Sequence, residues 1–133
     1  MTPFEQQVQE LISTPLEGCQ VALDRCKDTA TVTLLGPKES PYEGGLFLLR
    51  INSQPYRTQI RFLTPVFSPN IDEEGWVRFD AAGSLRENLV CIQTMMKSPS
   101  WHRPVNFSAS DMYLYSATAF AQAAVEATLT HAH

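Results

Sequence analysis

Nucleophilic chemistry is the first thing to look for in this chain, and the thiols are the strongest nucleophiles available. The 133 residues include three cysteines, Cys19, Cys26 and Cys91. An odd number without regular spacing does not describe a disulfide framework. Cys19 and Cys26 are too far apart for a close metal-binding pair, and no cluster of Cys and His completes a zinc site. No metal and no cofactor is therefore expected. Cys91 falls near the edge of an apolar helical face, where a cysteine behaves as a small hydrophobe. Ser68 and Ser84 have no His or Asp placed to activate them. The segment "SPNIDEEGWVRFD", residues 68–80, sets Asn70 eight residues ahead of Arg78. A guanidinium stays protonated and cannot serve as a nucleophile.

The elements that hold these residues can be read from periodicity. Thr2-Pro3-Phe4-Glu5 is a helix start, with a capping threonine, a proline suited to the first turn and an acid that completes a capping box. Phe4, Val8, Leu11 and Ile12 then share one helical face, and Thr14-Pro15 ends the helix. From Cys19 the period becomes two. "CQVALDR", "TATVTLLG", "LFLLRIN" and "TQIRFL" read as strands joined by turn-rich links, which predicts an antiparallel meander. Residues 64–83 show no periodicity. Ser84-Leu85-Arg86-Glu87 is a second capping box, and Leu85, Leu89, Ile92 and Met96 line one face of the helix it opens. A last helix is expected from Asp111 to Leu129, capped by Ser108 or Ser110. The fold class is α+β: an N-terminal helix, a four-stranded antiparallel meander sheet, then C-terminal helices, in a single domain over residues 1–133.

Composition narrows the partners. With 10 Lys and Arg against 14 Asp and Glu, the net charge of −4 gives no reason to expect nucleic acid or an anionic membrane surface. The cations are scattered, as Arg50, Arg57, Arg61, Arg78, Arg86 and Lys97. Residues 1–15 lack the pattern of a signal peptide, and no apolar run approaches the roughly 20 residues needed to span a bilayer. An intracellular protein is expected, cytoplasmic or nuclear, with an organellar assembly left open.

Gly36-Pro37, Ser40-Pro41-Tyr42-Glu43-Gly44-Gly45, Pro69-Asn70-Ile71 and Gly75, carried on that order of elements, resemble the ubiquitin-conjugating enzyme family. The resemblance implies the family's fold, with Tyr42 packed against the sheet and Gly44-Gly45 in a tight turn. It also implies that the catalytic cysteine belongs eight residues after the asparagine, where this chain has Arg78. Asn70 would support an oxyanion in active members. Here it is expected to brace its loop through backbone hydrogen bonds. Ser68 stands where the family has a histidine. The family's proline-rich run before the fourth strand and its Trp-Ser-Pro loop before the second helix are both missing, segments that help bind a ligase or cover the active site. An arginine placed deliberately to trap a state would be an unusual choice beside serine, alanine or lysine.

Asn70 and Arg78 thus mark a vestigial site with no catalytic residue. The protein is similar to the catalytically inactive ubiquitin-conjugating enzyme variants, the UEV proteins. These pair with an active conjugating enzyme and hold an acceptor ubiquitin. Phe4 resembles the N-terminal aromatic that UEV proteins insert into their partner, although it also continues the helix's own apolar stripe. In active members the outward strand face also binds ubiquitin noncovalently. The alternative is a structural subunit of a larger protein assembly with no ubiquitin role. Between Val105 and Thr130 the only charged residues are Asp111 and Glu126, an unusually low charge for a helix with a wet face. Met112, Tyr113, Tyr115 and Phe120, with Trp101 in the preceding loop, are the candidate interface residues.

Overall fold

The computed structural model describes residues 3–25, 28–53, 58–77, 83–98, 106, 108–110, 112 and 116–132. The helix α1, Pro3–Ser13, leads into strands β1 (Cys19–Leu23), β2 (Thr29–Leu35), β3 (Leu46–Ser53) and β4 (Thr58–Phe62). Helices α2 (Leu85–Lys97) and α3 (Ala117–His131) follow. The sheet order is β1-β2-β3-β4 with every neighbouring pair antiparallel, which is the expected meander.

Alternation decides which face of the sheet is dry. Ala30, Val32 and Leu34 on β2, Phe47, Leu49 and Ile51 on β3, and Ile60 and Phe62 on β4 all point inward. A one-residue slip in register would turn these side chains to solvent, so the register is set by burial. The helices close the core over this face. α2 contributes Leu85, Leu89, Ile92 and Met96, the four residues its spacing predicts, and α1 contributes Phe4, Val8 and Leu11. Ile12 departs from its expected place and is exposed, because the buried stripe of α1 is narrower than its apolar residues.

Polar contacts fix the helices to one another. The Ser84 hydroxyl accepts from the Glu87 amide at 3.2 Å, so the second predicted cap is present. The Leu85 amide, one of the orphan donors of the same helix start, is taken by Gln7 Oε1 of α1 at 2.6 Å. At the far end of α1, Arg86 pairs with Glu10 at 2.8 Å and also donates to the Thr14 carbonyl. Thr2 lies outside the described residues.

The C-terminal region differs from expectation. Residues 108–110 are helical and capped by Asn106, whose Oδ1 accepts from the Ala109 amide at 3.1 Å. Ser116 then interrupts the helix in a non-helical conformation and caps α3 itself by accepting from the Ala119 amide. A single helix from Asp111 to Leu129 is therefore replaced by two pieces, with α3 starting at Ala117 and running to His131. Ser116 is the better cap because it sits directly ahead of the Ala-rich run.

α3 docks where β3 begins. The Leu46 amide donates to the Ala132 carbonyl at 3.2 Å. A side chain at Gly45 would stand 2.6 Å from Thr128 Cγ2 and 3.1 Å from Ala132 Cβ, so only glycine lets the helix come this close. Gly45→Val is expected to push α3 off the sheet at a cost of about 1–3 kcal/mol. A lower urea midpoint and faster hydrogen exchange at the Leu46 amide would register it. An unchanged midpoint would show that the helix end is not held there.

Candidate functional site

Residues 68–77 form a doubly folded loop fastened to β4. Ser68 bridges Ile71, and Ile71 bridges Val77. The Phe62 amide donates to the Gly75 carbonyl at 2.8 Å, and the Val77 amide to the Ile60 carbonyl at 3.1 Å. Gly75 has φ of 97°, and a Cβ there would lie 2.1 Å from the Phe62 carbonyl oxygen. No other residue could hold that pairing without strain.

Asp72 shapes the outer turn. Its Oδ1 accepts from the Glu74 amide at 2.9 Å and the Trp76 amide at 3.0 Å, and its own amide donates to the Trp76 carbonyl. The Arg61 guanidinium sits 5.4 Å from the Trp76 ring centroid, and its Nε donates to the Glu74 carbonyl at 2.7 Å. These contacts hold the backbone through Val77, the residue before Arg78. Arg78 itself lies outside the described residues.

Beneath the loop, Ser68 and Asn70 are buried and polar. Ser68 Oγ accepts from the Asn70 amide at 3.2 Å, and the Ser68 carbonyl accepts from the Ile71 amide. The Pro69 carbonyl is taken by the Asn106 amide at 3.3 Å, which ties the loop to the C-terminal helical region. Tyr42 reaches this loop from the Ser-Pro-Tyr-Glu-Gly-Gly turn. Its hydroxyl donates to the Phe67 carbonyl, and its ring packs edge-on to Phe47, as the sequence predicts for its packing. Burial drives the Tyr42 phenol far above its ordinary range, only partly offset by its hydrogen bond with Ser68. The phenol is therefore a neutral donor. Phe67 also stacks against Phe120 of α3, with ring centroids 5.8 Å apart.

The described thiols are not gathered at this loop. Cys19 is buried at the start of β1, where Gln93 Nε2 lies 3.6 Å from its sulfur, and burial pushes its pKa from 9.0 to about 11. Cys91 is half-buried within α2, and Cys26 lies outside the described residues. Among the described residues no group of His, Cys, Asp and Glu could hold a metal ion.

The proposed interface residues separate. Phe4 is 7% exposed and packs with Val8 and Leu11 in the core. Phe120 is also in the core, under the 68–77 loop, because its ring is needed to cover Phe67. Phe4 thus lies in its own helix's apolar stripe, the packing the sequence also allowed, and Phe120 packs against Phe67. Met112 is exposed. Trp101, Tyr113 and Tyr115 lie outside the described residues. Three features of the site went unread in the sequence: the Asp72 turn, the Arg61–Trp76 stack and the Tyr42–Phe67 tie. The first had a legible signal in Asp72 followed three residues later by Gly75, a common turn pattern. The other two join residues distant in sequence.

Residues 3–128 match the family described as ubiquitin-conjugating enzyme. The chain belongs to the ubiquitin-conjugating enzyme family. It is 32% identical to ubiquitin-conjugating enzyme E2 T of Danio rerio over 146 residues, covering 97% of this chain and 75% of that protein. It is 30% identical to E2 T of Homo sapiens over 97% of this chain and 74% of that protein. Ubiquitin-conjugating enzyme E2 13 of Saccharomyces cerevisiae is 31% identical over 75% of this chain and 73% of its own. A match spanning 146 residues exceeds the 133 of this chain, so the relative carries segments that this ubiquitin-conjugating family member lacks. Among the described residues no helix is long and apolar enough to cross a membrane.

Two outcomes follow for this site. The folded chain holds the Cys19 thiol protonated up to about 11, whereas an unfolded cysteine ionises near 9.0. The stability this group contributes is intact below pH 9 and is lost as the pH rises toward 11. A thiol reagent at pH 8 should therefore leave Cys19 unmodified until the chain is unfolded. Modification at native rates comparable to a free thiol would contradict the burial. Tyr42→Phe removes the donor to the Phe67 carbonyl in a dry site and should cost about 1–3 kcal/mol in urea denaturation. A wild-type midpoint would show that the tie carries no weight.

Proposed function

We propose that this family member is non-catalytic and acts through protein contacts, as a UEV-type cofactor of an active ubiquitin-conjugating enzyme. The observation that carries the reading is the residue eight positions after Asn70. Arg78 stands there, and a guanidinium cannot take an acyl group from a thioester. The thiols that are described give the reading further support: Cys19 is buried and held protonated, and Cys91 sits within α2. The relatives reported above are named as conjugating enzymes.

In this reading catalysis is supplied in trans by positioning. The partner enzyme carries the thioester, and this chain holds an acceptor ubiquitin so that one of its lysines meets the activated carbonyl. Asn70 has no oxyanion to stabilise on this chain. Its burial and its amide's bond to Ser68 fit a residue that braces the loop.

A second reading is a structural subunit in a larger assembly, without a ubiquitin role. The observation in its favour is the outer side of α3, where Val125 is exposed and Leu129 is 72% exposed on a helix with Glu126 as its only acidic residue. Such a surface suits burial against another protein.

Incubation with activating enzyme, ATP and ubiquitin should give no adduct that a reducing agent cleaves. A labile adduct that depends on Cys91 would overturn the non-catalytic reading. Native purification then separates the two alternatives. Co-purification with a conjugating enzyme, and localised ubiquitin shifts by NMR, support the cofactor. A large stable complex without ubiquitin contact supports the subunit.

A further inference from the structure

Six of the nine prolines directly follow a hydroxyl residue: Thr2, Thr14, Ser40, Thr64, Ser68 and Ser98 precede them. Each such pair sets a hydroxyl beside a residue without an amide hydrogen, in backbone that proline biases toward extension. Packing occupies most of those hydroxyls. Ser40 Oγ donates to the Pro37 carbonyl at 2.7 Å and accepts from the Tyr42 amide at 3.2 Å. Thr64 Oγ1 accepts from the Leu48 amide at 2.9 Å. Ser68 is buried at the start of the 68–77 loop. Thr2 and the proline after Ser98 lie outside the described residues.

Thr14-Pro15 is different. Both residues are exposed, in the short link between α1 and β1. The Thr14 amide donates to the Glu10 carbonyl at 2.8 Å and its carbonyl accepts from Arg86, but its hydroxyl has no hydrogen-bond partner among the described residues. A cation is therefore already seated at this backbone. Arg86 of α2 also reaches Glu10 Oε1, with Nε at 3.1 Å and Nη2 at 2.8 Å. The Glu10 side chain is 54% exposed, so that pair is screened by water and weak. A phosphoryl group on Thr14 would bring a dianion with several acceptor oxygens beside the same guanidinium, whose planar fork suits them. The C-terminal end of α1 disfavours an anion through its dipole, and Arg86 is placed to offset that.

We propose that Thr14 is a phosphorylation site for a proline-directed kinase, and that its phosphate takes Arg86 away from Glu10. The donor is ATP. The bond from Thr14 Oγ1 to the γ-phosphorus forms as the bond from that phosphorus to the β,γ-bridging oxygen breaks, the hydroxyl proton passes to a base of the kinase, and ADP leaves. The modification ties the link ahead of β1 to the first turn of α2 and releases the Glu10 carboxylate to solvent. It does not depend on whether the chain is a ubiquitin-pathway cofactor or a structural subunit, since neither reading uses Thr14 or Arg86.

The test begins with the native full chain, ATP and a purified mitogen-activated protein kinase, with the phosphoryl group located by peptide mapping. Thr14 should carry it, and either Thr14→Val or Pro15→Ala should remove it from this segment. Both side chains are exposed, and the dispersion of the amide NMR signals checks that each variant is folded. Phosphorylation confined to other Ser-Pro or Thr-Pro pairs, or none at all, would overturn the proposal. The Arg86 Nε–H resonance of the isotope-labelled chain then reads the change of partner. It should shift on phosphorylation. Glu10→Gln should shift it in the unmodified chain and leave it unmoved in the phosphorylated one. An Arg86 signal that ignores phosphorylation, or that still responds to Glu10→Gln afterwards, would show the guanidinium remaining on Glu10 and would equally overturn the proposal.

Discussion

The Gly75 carbonyl accepts the Phe62 amide, and this contact determines how the segment before Arg78 can lie. It continues the sheet's pairing past the end of β4 into a loop that has no strand of its own. The approach is possible because Gly75 has a positive φ and no Cβ to strike the Phe62 carbonyl. Asp72 then folds the intervening turn, and the Arg61–Trp76 stack covers it from outside. The backbone at Val77 is thus built from β4 outward, and β4 is placed by the hydrophobic face of the meander.

The scaffold of this loop is separate from any reaction it could carry. The ties around it are backbone pairs, a buried phenol, a serine hydroxyl and an aspartate, and none of them depends on the side chain at position 78. Ser68 illustrates the point. A small hydroxyl meets the Asn70 amide and contacts the Tyr42 phenol where the family has a histidine. Polar groups in this dry region are satisfied locally, so the loop's shape is held by its own contacts.

The meander and the stripe of α2 were legible because a period of two, then a spacing of three and four, recurs over enough residues to decide the direction of each side chain. Gly-Pro, Ser-Pro-Tyr-Glu-Gly-Gly and Pro-Asn-Ile made the family legible as well. Residues 64–83 were not legible, since their order comes from contacts between β4 and the loop rather than from any local repeat. Phe4 and Phe120 carried two readings for a related reason: an aromatic on a helix gives the same signal whether its ring meets its own core or another protein. The break at Ser116 was hidden by the Ala-rich stretch on its C-terminal side, which is helical in propensity throughout.

The bond from the Leu46 amide to the Ala132 carbonyl has one more bearing. An unpaired strand rim invites foreign backbone, the route by which sheets recruit further chains and aggregate. Here the last turn of α3 plugs that opening at the head of β3, with Gly45 supplying the clearance. The helix is a stopper as well as a layer of the core, and loosening its C-terminal end would leave the Leu46 amide open to backbone from another chain.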